Sequence, residues 1–90
     1  MTEIEPAIAE PTAENIRTWL IGRVAHHLEE PVETIDPQVP LHNYRLDSVY
    51  IFTLHGEIEE ALGVIVEPSL MWEVENLADL ADRIAGLTAR

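Results

Sequence analysis

The run Tyr44-Arg45-Leu46-Asp47-Ser48-Val49 puts a serine hydroxyl where a proline-rich loop gives way to a helical pattern. A hydroxyl there can do one of two things. It can cap the helix by accepting a backbone N–H, or it can be esterified. The start of a helix carries partial positive charge and unpaired N–H groups. A phosphodiester formed on Ser48 would therefore be well placed, with whatever it carried projecting into solvent. Asp47 offers the oxygen ligands Mg²⁺ prefers and could help to hold the cation that accompanies an incoming pyrophosphate. Hydrolysis fits poorly, because no Gly-x-Ser-x-Gly elbow surrounds Ser48 and no base can be assigned. Taken alone, an Asp-Ser pair favours the plain cap. His26, His27, His42 and His55 lack ligand spacing, and there is no cysteine, so no metal centre or disulfide is expected.

Four helices are expected to position that serine. In the first, Ile16, Leu20, Val24 and Leu28 recur every fourth residue, Thr12 is the N-cap, and Pro31 helps to end the element. Pro31, Pro37 and Pro40 exclude a helix from 29–46, a loop to be pinned by Val32, Ile35, Val39 and Leu41. The second helix starts at Asp47 or Ser48 and runs to Leu62, with Gly63 at the left-handed C-cap. Val49, Phe52, Ile58 and Leu62 are expected to face the core. Val64, Ile65 and Val66 have strand propensity but no partner strand, so they read as a packed connector. A brief turn over Ser69 to Glu73 should bury Leu70, Met71 and Trp72 at least in part. In the last helix Asn76 is the cap, and Leu77, Leu80, Ala81 and Ile84 are the buried stripe. Trp19 and Trp72 read as packing residues rather than a ligand cage, although one could still border a groove for cargo.

Ninety residues, 47% of them apolar, suffice for one core but leave little room for a deep enclosed site. The expected organisation is a flexible tail over 1–11, one domain over 12–87 and a short tail over 88–90. Seventeen Asp and Glu against five Arg give a formal net charge of -12, which repels nucleic acid and anionic membranes and steers basic protein surfaces towards the chain. With no apolar run long enough to span a bilayer and no signal peptide, a cytoplasmic monomer is expected.

The Leu46-Asp47-Ser48-Val49 segment resembles the Asp-Ser-Leu triplet that opens the second of four helices in the acyl and peptidyl carrier proteins. The resemblance runs from about Thr12 to Gly86 and includes the proline-rich first loop and Leu62-Gly63-Val64. It implies an all-α, acyl-carrier-like bundle of three main helices plus one short helix, without enzymatic activity of its own. It implies further that Ser48 bears a covalent 4′-phosphopantetheine installed by a phosphopantetheinyl transferase, with Asp47 as the acidic residue before it. Many relatives have Gly two residues before the Asp where this chain has Arg45, so the turn or the docking partner should differ. Ile35-Asp36-Pro37, Pro40-Leu41 and Leu70-Met71-Trp72-Glu73 resemble carriers of polyketide and lipopeptide pathways. On that resemblance the protein is a free-standing acyl carrier, loaded by a ligase or acyltransferase and serving polyketide, fatty acyl or lipopeptide synthesis.

Asp47, Val49, Glu57 and Glu60 are then the surface for partner enzymes with basic docking patches, although the same carboxylates also read as a solvated face. Phe52, Leu70 and Met71 would line an acyl-chain groove between the second helix and the short one, packed as core together with Val49 when no chain is present. Two alternatives stay open. One is a peptidyl carrier loaded by an adenylation enzyme. The other is an unmodified acidic docking module that uses Ser48 only as a cap.

Overall fold

The computed structural model describes residues 10–44 and 46–88. Residues 1–9 and 89–90 of the expected tails, and Arg45 with its departure from glycine, lie outside the described residues. The fold is all-α: α1 (Ala13–Leu28), α2 (Ser48–Leu62), the short α3 (Leu70–Glu73) and α4 (Leu77–Thr88), with no strand among the described residues. None of these helices is long and apolar enough to cross a membrane.

Helix α1 begins where Thr12 Oγ1 accepts the Asn15 N–H at 3.1 Å. It ends on Glu29, which takes the left-handed conformation with φ 56°, while the Glu30 N–H returns to the Ala25 carbonyl at 3.0 Å. Its stripe of Ile16, Leu20 and Val24 is fully buried and packs along α4, whose Leu77, Leu80, Ala81 and Ile84 are equally buried. Asn76 Oδ1 caps α4 by accepting the Asp79 N–H at 2.7 Å. Glu10 and Pro11, expected to be loose, are tied in. The Glu10 carbonyl accepts from Asn15 Nδ2 at 2.9 Å, and the Thr88 hydroxyl lies 3.3 Å from the Pro11 carbonyl.

The long first loop is held by its backbone as much as by side chains. The Leu41 N–H donates to the Glu75 carbonyl at 2.9 Å, and the Pro37 carbonyl accepts the Ala78 N–H from the first turn of α4 at 3.1 Å. Tyr44 closes the loop with its hydroxyl, which donates to the Asp36 carbonyl at 2.8 Å and accepts the Asp36 N–H at 2.9 Å. Ile35 is buried and Val39 and Leu41 half-buried, but Val32 is 51% exposed and pins nothing. The loop is thus tied to the segment before α4 and to its first turn, and is closed on itself as far as Tyr44.

The expected buried face of α2 needs correction. Tyr50, Ile51, Leu54 and Ile58 are buried, whereas Val49 and Phe52 are each 73% exposed. At 3.6 residues per turn, 51, 54 and 58 share a face that positions 49 and 52 do not. The first two turns are apolar almost all round, so their pattern alone does not choose the buried side. Trp72 is also mostly exposed, at 64%. Both Trp72 and Phe52 lie near the N-terminal end of α2.

Candidate functional site

Ser48 is the first residue of α2 and is exposed. It is not the cap. Asp47 is, with extended backbone and its Oδ1 accepting the Tyr50 N–H at 2.8 Å, while its carbonyl accepts the Ile51 N–H at 3.0 Å. The Ser48 hydroxyl is thus free of the structural duty that a cap performs. Among the described residues nothing accepts the Ser48 or Val49 backbone N–H, so both donors remain for an anion on the hydroxyl. Asp47 spends one oxygen on the cap, leaving the other for a cation.

Two apolar side chains border the hydroxyl. Val49 is next in sequence and Phe52 is one turn on, at i+4 from Ser48. Beyond Phe52 lies the α2/α3 junction. A pit of about 30 Å³, no larger than a water, opens between Ile51, Phe52, His55, Pro68, Met71 and Trp72. On the other side of Ile51, Met71 and Trp72 an open groove of about 460 Å³ runs between α3 and the first loop, lined also by Leu41 and Leu46. Of the expected groove residues, Phe52 and Met71 line this region. Leu70 lines neither space and packs against the core instead. Trp72, one of the two tryptophans that could border a groove, lines it, and Ile51, Leu41 and Leu46, which were missed, complete it. The signal for Ile51 was its place three residues after Ser48 and two turns, seven residues, before Ile58 on one helix face; for Leu41 and Leu46 only the folded loop reveals it.

On its other side α2 faces α1. Arg23 donates to Glu57 with Nη2 to Oε2 at 2.9 Å and Nε to Oε1 at 3.4 Å, and His27 stacks on Tyr50 with ring centroids 3.7 Å apart. Glu57 is therefore engaged within the chain, while Glu60 is exposed. The Tyr50 hydroxyl is buried without a partner among the described residues. Burial, reinforced by Glu57 and opposed by Arg23, pushes its pKa up to about 12. Tyr50→Phe removes an unpaired polar atom and keeps the ring, so a thermal melt is expected to shift upward by a few degrees, about 1 kcal/mol. A lower melting temperature would mean that the hydroxyl has a partner. Among the described residues no group of three or more His, Asp or Glu side chains is arranged to hold a metal.

Residues 18–84 match the family model described as the phosphopantetheine attachment site. The chain is 33% identical over 66 residues to the acyl carrier protein TtuC of Teredinibacter turnerae, covering 73% of this chain and 76% of that one. Among solved structures it is similar to Asl1650, an acyl carrier protein from Anabaena sp. PCC 7120 with a variant phosphopantetheinylation-site sequence. The identity is 33% and the TM-score 0.79, over 98% of this chain and 96% of that one. It is also similar to the acyl carrier protein LipD from Actinoplanes friuliensis, at 33% identity and TM-score 0.70 over 100% and 99% of the two chains. A free-standing peptidyl carrier protein from Acinetobacter baumannii superposes with TM-score 0.78 at 25% identity, over 86% and 96%.

Proposed function

This chain belongs to the phosphopantetheine-attachment family of carrier proteins, and from that membership we propose that it works as a free-standing acyl carrier with Ser48 as the residue bearing the arm. In this family the prosthetic group is covalent 4′-phosphopantetheine, which supplies the thiol that holds an acyl group as a thioester. Carriers are not enzymes themselves. They are served by a phosphopantetheinyl transferase and by biosynthetic enzymes that load and use the cargo.

One observation carries the assignment to Ser48: its exposed hydroxyl opens α2 while Asp47 performs the capping. The residues around it fit the group. Two unpaired backbone donors and the positive end of a fifteen-residue helix favour a phosphodiester there. The free oxygen of Asp47 suits the cation needed during transfer. The protein itself would hold the arm's attachment point in place, because Asp47 fastens the start of α2 through its side chain and its carbonyl. Tethering then raises the concentration of cargo at each partner.

An acyl rather than aminoacyl cargo is supported by the apolar groove of Leu41, Leu46, Ile51, Met71 and Trp72 beside the site. A fatty or polyketide chain would bury methylenes there at about 0.8 kcal/mol each. Polyketide, fatty acyl or lipopeptide synthesis in the cytoplasm is the setting this reading assigns, with a ligase or acyltransferase as the loading partner. Incubating the purified protein with coenzyme A and a broad-specificity transferase is expected to add about 340 Da. An unchanged mass would favour the unmodified docking module instead.

The partner surface follows the same reading, with Asp47 and Val49 exposed beside the arm, Glu60 exposed about 18 Å further along α2 and Glu57 held by Arg23. Glu60→Lys is expected to slow acyl transfer from a basic partner at low salt and much less at high salt, because exposed charges are screened. Glu57→Lys should do the same and also lower the melting temperature by breaking the α1–α2 ion pair. Equal transfer rates for Glu60→Lys and wild type at both salts would remove the carboxylates from recognition.

A further inference from the structure

The connector between α2 and α3 is hydrogen-bonded to α2 side chains at Val66. Val66 has its side chain buried, its N–H donates to Glu59 Oε2 at 2.8 Å, and its carbonyl lies 2.6 Å from His55 Nε2. A carbonyl only accepts, so the His55 Nε2 must carry the proton and donate. His55 and Glu59 are one turn apart on α2, with Nε2 and Oε2 3.7 Å from each other. Between them they satisfy both backbone groups of Val66, in a stretch with no helical or strand bonds of its own.

This fastening lies beside the α2/α3 pit. His55 lines that pit, and Pro68, on its opposite wall, is two residues beyond Val66. At about 30 Å³ the pit has no room for an alkyl chain. The connector supplies one wall of the pit through Pro68, so widening the pit on that side displaces the connector and strains the bonds to Val66. The open groove by Leu41, Leu46 and Trp72 needs no such movement.

We propose that His55 and Glu59 form a latch on Val66 that keeps the α2/α3 cleft shut, and so limit how much of an acyl chain this protein shelters. The proposal rests on the reading of the chain as an acyl carrier. A short chain lies in the open groove, and the extra methylenes of a long one stay in solvent while the latch holds. Glu59→Ala removes the acceptor for the Val66 N–H. Glu59→Gln keeps an amide oxygen in its place.

The test loads the arm with butanoyl, octanoyl and tetradecanoyl groups and compares the melting temperature of each form with that of the bare arm. In wild type and Glu59→Gln the gain is expected to level off with chain length. In Glu59→Ala and His55→Ala the unloaded protein melts lower, but the gain keeps rising, with the tetradecanoyl form showing on the order of 5 °C more gain than in wild type. A residue with a merely structural role would lower every form equally and leave the gains unchanged, and that result overturns the latch. Hydrogen exchange on the unloaded protein supplies a second reading. The Val66 amide should be protected in wild type and Glu59→Gln and exchange faster in Glu59→Ala; fast exchange in wild type also overturns the proposal. A wild-type protein that accepts no arm by mass would count against the carrier reading, whereas loaded forms with identical gains count against the latch alone.

Discussion

Ser48→Ala is expected to abolish the entire mass gain from coenzyme A and transferase while leaving the fold and its melting temperature nearly unchanged. The two halves of that expectation have separate causes. Loss of labelling follows from removing the oxygen proposed to form the phosphodiester. Retention of the fold follows because Asp47, not Ser48, accepts the Tyr50 N–H. Ser69→Ala is the matched control. Ser69 precedes a helix of four residues, has helical backbone itself and makes no capping bond, so its loss should leave labelling intact. If Ser48→Ala unfolded the protein, the hydroxyl would have a structural role absent from this geometry. Circular dichroism alongside intact-mass measurement separates these outcomes.

The second large effect is expected at the α1–α4 interface. Leu20 is fully buried against α4, and Leu20→Ala should cost about 2–5 kcal/mol through lost burial and a residual cavity. A domain of this size has little more than that in total, so a fall in melting temperature of roughly 15 °C or outright unfolding is expected. Asp47→Ala removes a single cap and should cost only about 1 kcal/mol. The order of the two matters. Asp47→Ala should remain folded and still lose transfer efficiency, because the start of α2 frays where the transferase must grip it. If Asp47→Ala proved the more destabilising of the pair, the start of α2 rather than the helix packing would dominate stability. Urea unfolding of both variants decides this.

Much of the site could be read from the chain because its rules are local. A cap at Asp47 or Ser48, the Gly63 end and the Asn76 cap each depend on residues a few positions apart, and all three occur in the structure, with Asp47 rather than Ser48 making the first. The regular spacing of α1 and α4 likewise selected the buried face, since polar residues occupy the other sides. Helix α2 offered no such contrast. Val49, Tyr50, Ile51 and Phe52 are four consecutive apolar or aromatic residues, and tertiary packing alone puts Tyr50 and Ile51 inside and the other two out. The difference matters, because the exposed pair lies on the first two turns of α2 next to Ser48.

Long-range contacts were beyond local rules. Arg23 and Glu57 are 34 positions apart, and their pairing changes Glu57 from a free docking charge into a brace between α1 and α2. Glu29 closes α1 in a left-handed conformation that glycine or asparagine usually announces, so only Pro31 hinted at the helix end. The hold of His55 and Glu59 on Val66 needed the connector to fold back over α2. None of these contacts leaves a periodic trace.

The most direct measurement is peptide-level mass spectrometry of the protein purified from the cells that make it. A phosphopantetheine adduct, about 340 Da or more with its cargo, on the fragment that contains Ser48 is the expected result. An adduct confined to another fragment, or a fully unmodified Ser48 peptide from cells with an active transferase, would contradict the account.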